Sequence, residues 1–214
     1  METLNCLLSG LIHLLGPVLV LYLWRKKTGA KVYPALVALA AAFFIFFAAG
    51  VVRSGFITDK DSFVVKCIKN AVLYGVFEEG GKFLVMRFAL SEYITRKESV
   101  PYGVGHGCFE NLTAGLACLQ LIGQGTASPY ILGMTTLSFV EGTLYDFAAA
   151  VILYYGIANK KSGLILPLVM LFHALSNIAG NLFILSVSIP LRLILTTAGC
   201  IIAHRLWKAI DEPH

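Results

Sequence analysis

Charge is the scarce ingredient of this chain. Asp, Glu, Lys and Arg together make up 14% of its 214 residues, against about a quarter in a soluble domain. That leaves too little polar surface to coat a water-soluble globule. Cysteine gives no scaffold either. Cys6, Cys67, Cys108, Cys118 and Cys200 all lie in apolar stretches, with no C-x-x-C pair and no zinc-ribbon spacing. A disulfide framework is therefore set aside, and buried apolar thiols are the simpler reading. The first 24 residues hold Glu2 but no Lys or Arg. No small-residue cleavage site follows their apolar run, so Leu4–Trp24 reads as a membrane helix rather than a signal peptide. Internal repeats and low-complexity tracts are also missing.

What is present is apolar residue in quantity: 57% of the chain, with a mean hydropathy of +0.78. The composition predicts an all-α, polytopic transmembrane bundle of about seven spans. They are drawn at Leu4–Trp24, Tyr33–Val52, Phe63 to about Tyr93, Tyr102–Ile122, Tyr130–Ile157, Leu164–Leu185 and Ile189–Trp207. Almost every residue is needed for spanning, so one integral membrane domain is expected over 1–214, with its catalytic core in 63–185. The third and fifth spans are long and carry polar residues at mid-length.

Positive charge is concentrated in short connections. Arg25, Lys26, Lys27 and Lys31 follow the first span, Arg96 and Lys97 the third, Lys160 and Lys161 the fifth, and Arg205 and Lys208 the last. The Gly123–Pro129 stretch and the region of Ser186–Ser188 carry no charge, and the second connection is mixed (Arg53, Asp59, Lys60, Asp61). The positive-inside rule then puts the N-terminus outside and the C-terminus in the cytoplasm of a bacterial plasma membrane. The net charge of +5 is spent on orientation, so lipid and not nucleic acid is the expected partner.

Against this background the ionisable residues inside the spans stand out, because a charge at the bilayer centre costs about 2.5–3.5 kcal/mol on insertion scales. Glu78, Glu79 and Lys82 share the third span, His106 and Glu110 the fourth, Glu141 and Asp146 the fifth, and His173 and Asn177 the sixth. With the predicted topology these groups converge in the central-to-cytoplasmic half of the membrane, His173 lying roughly 14 Å along its helix at 1.5 Å per residue.

Each constellation has a chemical and a structural reading. Adjacent Glu78 and Glu79 point about 100° apart on a helix, so one faces a cavity while the other faces a neighbour. Glu78 and Lys82 are spaced i, i+4 and can pair. A desolvated carboxylate is a good general base for water, whereas a Glu–Lys pair merely joins helices. His106 and Glu110 share a face at i, i+4, a spacing that suits a metal or an interhelical hydrogen bond. Gly103, Gly105 and Gly107 clear side chains from around the histidine. His173, Asn177 and Asn181 form a polar stripe, able to donate to an oxyanion or to hold helices together. Glu141, Tyr145 and Asp146 read as support for the histidines, further ligands or a proton path. His13 and His204 lie near membrane ends, where interfacial water satisfies them.

Glu78-Glu79-Gly80-Gly81-Lys82-Phe83, Tyr102-Gly103-Val104-Gly105-His106-Gly107 with Glu110, and Phe172-His173-Ala174-Leu175-Ser176-Asn177 together resemble the intramembrane proteases of the CAAX-prenyl endopeptidase and bacteriocin-processing superfamily. Within it the resemblance is to the bacterial YhfC family of intramembrane metalloproteases, over roughly residues 63–185. Two features depart from the prenyl endopeptidases. The basic residue follows the paired glutamates as Glu-Glu-x-x-Lys, where those enzymes have Glu-Glu-x-x-x-Arg. That spacing and Glu110-Asn111 also resemble PrsW-type proteases.

The resemblance implies an endopeptidase in which Glu78 or Glu79 activates water, His106 binds a metal or steadies the oxyanion, and His173 and Asn177 complete the site. Lys82, Glu110, Glu141 and Asp146 would support substrate or site. Zinc is the implied cofactor, on His106, Glu110 and His173, with a metal-free glutamate mechanism as the alternative. The substrate would be a membrane protein or a lipidated peptide. Glu79 is the expected base, with Glu78 pairing with Lys82, so that Glu79→Gln is expected to abolish cleavage without unfolding. The competing readings are a small transporter or proton-coupled carrier that uses the buried Glu/His cluster as a relay, and a non-enzymatic scaffold with a polar core.

Overall fold

The computed structural model describes residues 2–124, 131–182 and 184–210. These residues form seven long helices: α1 (Glu2–Thr28), α2 (Tyr33–Phe56), α3 (Phe63–Leu84), α4 (Arg96–Gln124), α5 (Ile131–Ala158), α6 (Ser162–Leu182) and α7 (Leu185–Trp207). No strand occurs among the described residues.

Local signals set several of the boundaries. Arg25, Lys26 and Lys27 fill the last turn of α1, where cations meet the negative end of the helix dipole. Gly29 follows in the left-handed region at φ 70, and its N–H closes on Arg25 O at 2.8 Å. Pro34 sits in the first turn of α2, where a missing N–H costs nothing. Ser62 caps α3 by accepting from Val65 N.

The bundle is inside-out relative to a soluble protein. Large apolar side chains such as Phe44, Phe47, Phe63 and Leu164 cover its exterior, while its interior contains many alanines and polar groups, including Glu78, Glu79, Lys82 and His106. An apolar exterior of this extent fits lipid, not water. Among the described residues five helices, α1, α2, α5, α6 and α7, are long and apolar enough to span a membrane. The other two, α3 and α4, are the ones that carry the paired glutamates and the Gly-His-Gly string.

The packing order explains how polar groups gather inside. Along the chain of neighbours, α2 packs on α3, α3 on α6, α6 on α5, α5 on α4 and α4 back on α2. These five helices close a ring. α1 lies outside it against α4 and α5, and α7 outside it against α5 and α6.

Three boundaries differ from the sequence expectation. The third helix does not run unbroken to Tyr93: α3 stops at Leu84, passes into a π-helical turn over Val85–Ala89 and ends in a 3₁₀ turn at Ser91–Tyr93. Arg96 and Lys97 are the first residues of α4 rather than a loop, and Ser186–Ser188 lie in the first turn of α7. Tyr130, the expected start of the fifth span, and most of the uncharged Gly123–Pro129 stretch lie outside the described residues.

At the basic end of the bundle the two tryptophans tie helices together. Trp24 Nε1 donates to Lys97 O at 2.9 Å, and Trp207 Nε1 donates to Arg96 O at 3.0 Å. The rings lie 5.8 Å apart.

Candidate functional site

Glycine sets the close approaches around His106. A Cβ on Gly105 would run into the backbone of Ala35 in α2. One on Gly103 would meet Asp146 O in α5 at 2.8 Å, and one on Gly107 would strike Asp146 Oδ2. The Gly-x-Gly-His-Gly string thus lets α2 and α5 press against α4, leaving His106 fully buried between them. Across the ring, a Cβ on Gly75 would meet Met170 O of α6 at 2.7 Å, so α3 and α6 also approach closely. This brings the carboxylates of α3 opposite His173.

The ionic core is centred on Glu79. Its Oε1 accepts from Lys82 Nζ at 2.9 Å and from His173 Nδ1 at 2.7 Å. Lys82 also donates to Asp146 Oδ1 at 3.0 Å, and Tyr102 Oη donates to the Lys82 carbonyl at 3.3 Å. One buried cation between two carboxylates thus joins α3, α5 and α6, with charge paired as burial demands.

This reverses the expected pairing. Lys82 takes Glu79 at i, i+3 and not Glu78 at i, i+4. Both spacings lie on one helix face, and Asp146 on α5 draws the ammonium to the Glu79 side. Glu78 is left facing the histidines. Its Oε2 stands 3.9 Å from His106 Nε2 and 3.8 Å from His173 Nε2. Glu78 is 3% exposed, and these are its shortest ionic approaches among the described residues.

The remaining candidates divide. Asp146 and Lys82 belong to the core. Glu110 is exposed on α4, one turn beyond His106. Asn177 is half-buried one turn beyond His173, and its carbonyl accepts from Asn181 Nδ2 at 2.7 Å. Glu141 points elsewhere: it takes a two-pronged pair from Arg192 of α7, with Nε to Oε1 at 2.9 Å and Nη2 to Oε2 at 2.6 Å. His13, read as an end residue, donates from Nδ1 to Asn111 Oδ1 at 2.7 Å, bracing α1 on the helix that carries His106.

Two aromatic residues complete the surroundings of the histidines, Tyr145 among the expected supports and Phe46 outside them. Tyr145 meets the His173 ring edge-on with centroids 5.2 Å apart, stacks on Phe172 and lies under the Lys82 ammonium. Its hydroxyl is buried without a hydrogen bond. The sequence pairs Tyr145 with Glu141 by spacing, whereas the structure gives its ring to His173. Phe46 of α2 covers His106 with centroids 6.0 Å apart, a contact no spacing announces.

Whether these groups suit a metal is decided by their free donors. His173 donates through Nδ1 to a carboxylate, which leaves Nε2 as its outward atom, the arrangement that ligating histidines favour. Both ring nitrogens of His106 are buried and unbonded. Two imidazoles with nearby carboxylates are the donor chemistry of catalytic zinc. The set is open, with no group of three or more His, Cys, Asp and Glu side chains closing to metal-binding geometry among the described residues. The donors fit a divalent metal in kind and lie farther apart than in a closed site.

Comparison with known proteins bears on the same helices. Over 127 residues the chain is 28% identical to the uncharacterised membrane protein YhfC of Bacillus subtilis (strain 168), an alignment covering 54% of this chain and 48% of that protein. The chain therefore matches about half the length of this relative. No solved structure matches. The family model for the YhfC intramembrane metalloprotease matches residues 12–128, more than half of the sequence and the part that contains Glu78, Glu79, Lys82, His106 and Glu110. This integral membrane protein belongs to the YhfC intramembrane metalloprotease family.

Proposed function

We propose that the chain is an intramembrane endopeptidase in which Glu78 activates water for attack on a peptide carbonyl of a membrane-associated or lipidated substrate. The observation that carries this reading is the division of labour between the two glutamates. Glu79 is consumed by Lys82 and His173, while Glu78 Oε2 faces the Nε2 atoms of both histidines with room between them.

A water among these three groups gives its proton to Glu78 Oε2 as its oxygen bonds to the carbonyl carbon. The tetrahedral oxyanion then collapses, the C–N bond breaks, and Glu78 returns the proton to the departing amine. Glu79 fixes His173 through Nδ1 and so aims Nε2 at the reacting atoms. The buried Tyr145 hydroxyl is a free donor for the oxyanion. A divalent metal of the zinc class, held by His106 and His173 with Glu110 as the neighbouring carboxylate, would supply an acidified water and a polarised carbonyl. The family assignment gives the carrier reading no support.

The test is cleavage of a library of membrane-spanning and lipidated peptides by purified protein in detergent. Wild type is expected to cut, and Glu78→Gln to lose on the order of 10²–10⁴-fold in rate, the contribution of a general base, with unchanged thermal unfolding. A Glu78→Gln protein that cleaves like wild type overturns the assignment.

A further inference from the structure

A second site is built at the basic end of the bundle. Between α1 and α7 lies a lateral cleft of about 340 Å³. Its floor is α5, with Phe147 and Ala148, and its walls are α1 and α7. At its mouth stand Lys27 and His204, both exposed, and beside them the two tryptophans. Lys27 makes no ion pair among the described residues. The nearby Glu98 is turned inward, accepting from Lys31 N at 2.9 Å.

We propose that this cleft binds one phospholipid with an anionic headgroup. The chemistry is complementary at both ends. The apolar lining of Val100, Leu144, Phe147, Ala148 and Val151 suits an acyl chain, and the exposed Lys27 and His204 beside it suit an anionic headgroup. The tryptophan N–H groups are already bonded to the carbonyls of Lys97 and Arg96. The headgroup is therefore recognised by the Lys27 ammonium and the His204 ring N–H, with the indoles forming apolar walls. Basic pockets between membrane helices on the cytoplasmic side select anionic headgroups in this way. The site is separate from the Glu78 cluster and stands whether or not the chain cleaves peptides.

The molecule carries its own probe, since Trp24 and Trp207 are its two tryptophans and both line the cleft. Intrinsic fluorescence is read in mixed micelles containing phosphatidylglycerol or phosphatidylcholine with identical brominated chains. The expected result is quenching at several-fold lower mole fraction of the anionic lipid. Lys27→Gln should weaken that preference about fivefold, the equivalent of about 1 kcal/mol per cation near the surface. Lys160→Gln, in the α5–α6 turn, should leave it unchanged. Ala203→Leu, which fills the cleft, should weaken quenching by both lipids. Equal quenching by the two headgroups in wild type, or an anionic preference untouched by Lys27→Gln and His204→Gln, overturns the proposal. Relief of quenching by inorganic phosphate alone would assign the rim to a free anion, and protection by self-association would assign the cleft to a second copy. Either result also overturns it.

Discussion

His173 Nδ1 donates to Glu79 Oε1 across 2.7 Å, joining α6 to α3 inside the ring. The same oxygen carries Lys82. Neutralising Glu79 therefore takes one of two carboxylates from buried Lys82, leaving it Asp146 alone, and removes the anionic partner of His173, so the expectation that Glu79→Gln is structurally silent gives way. Glu79→Gln should cost about 3–5 kcal/mol, the usual loss on breaking a buried pair, while Glu78→Gln should unfold like wild type. Thermal unfolding in detergent separates them, and equal melting of the two variants would contradict the division of roles.

Tyr145→Phe removes a buried hydroxyl that bonds to nothing. Stability should hold or rise slightly, because an unsatisfied polar group is lost. Turnover of a cleavable peptide should drop on the order of 10²-fold if the hydroxyl serves the oxyanion. The fall should appear in kcat with KM little changed.

Glu141 and Arg192 form a clamp apart from the histidines. Glu141→Gln and Arg192→Gln should each destabilise by about 1–3 kcal/mol, and the double variant by less than their sum. Cleavage per folded molecule should be unaffected. A large activity loss in folded Glu141→Gln would return this carboxylate to the site.

Metal content should follow the histidines. Elemental analysis of protein purified without chelator is expected to find a divalent metal in wild type and in Tyr145→Phe, and much less in His106→Ala and His173→Ala. Chelation should abolish cleavage, and added zinc should restore it. Full metal content in both histidine variants would move the ligands elsewhere.

Outside the spans, Asp61 closes the α2–α3 turn. The N–H of Thr58 at 2.8 Å and the Lys69 ammonium at 2.9 Å hold its carboxyl below its ordinary value of 3.8. A depressed folded value stabilises the turn above the ordinary value, and that stabilisation fades as pH falls through the lower folded one. Intrinsic-rate-corrected hydrogen exchange at residues 57–62 should be flat from about pH 7 to about pH 5 and quicken in stronger acid. In Asp61→Asn it should be fast throughout.

The helical layout was legible because length and hydropathy dictate it, and so was the gathering of Glu, His and Asp, because only a shared polar interior tolerates them. Which glutamate pairs with Lys82 was not legible. The i+3 and i+4 positions share a face, and the choice is made by Asp146, 64 residues away. The partner of Glu141 lies on α7, beyond any local spacing. Tyr145 was expected beside the histidines, and its ring meets His173, whereas Phe46 reads as one more aromatic in a span until the fold turns its ring onto His106. The break after Leu84 was hidden as well, since Val85–Ala89 contains no Gly or Pro to mark it.

The five-helix ring is a sleeve, and its seams are unequal. The seam between α5 and α6 is the most thinly packed of the five. Its outer side is an apolar groove of about 290 Å³ that reaches Phe172, the residue before His173. Parting this wall gives up less packing than parting any of the other four. A ring that buries Glu78 thus has its weakest join beside His173, where Tyr145 of α5 stacks on Phe172 of α6.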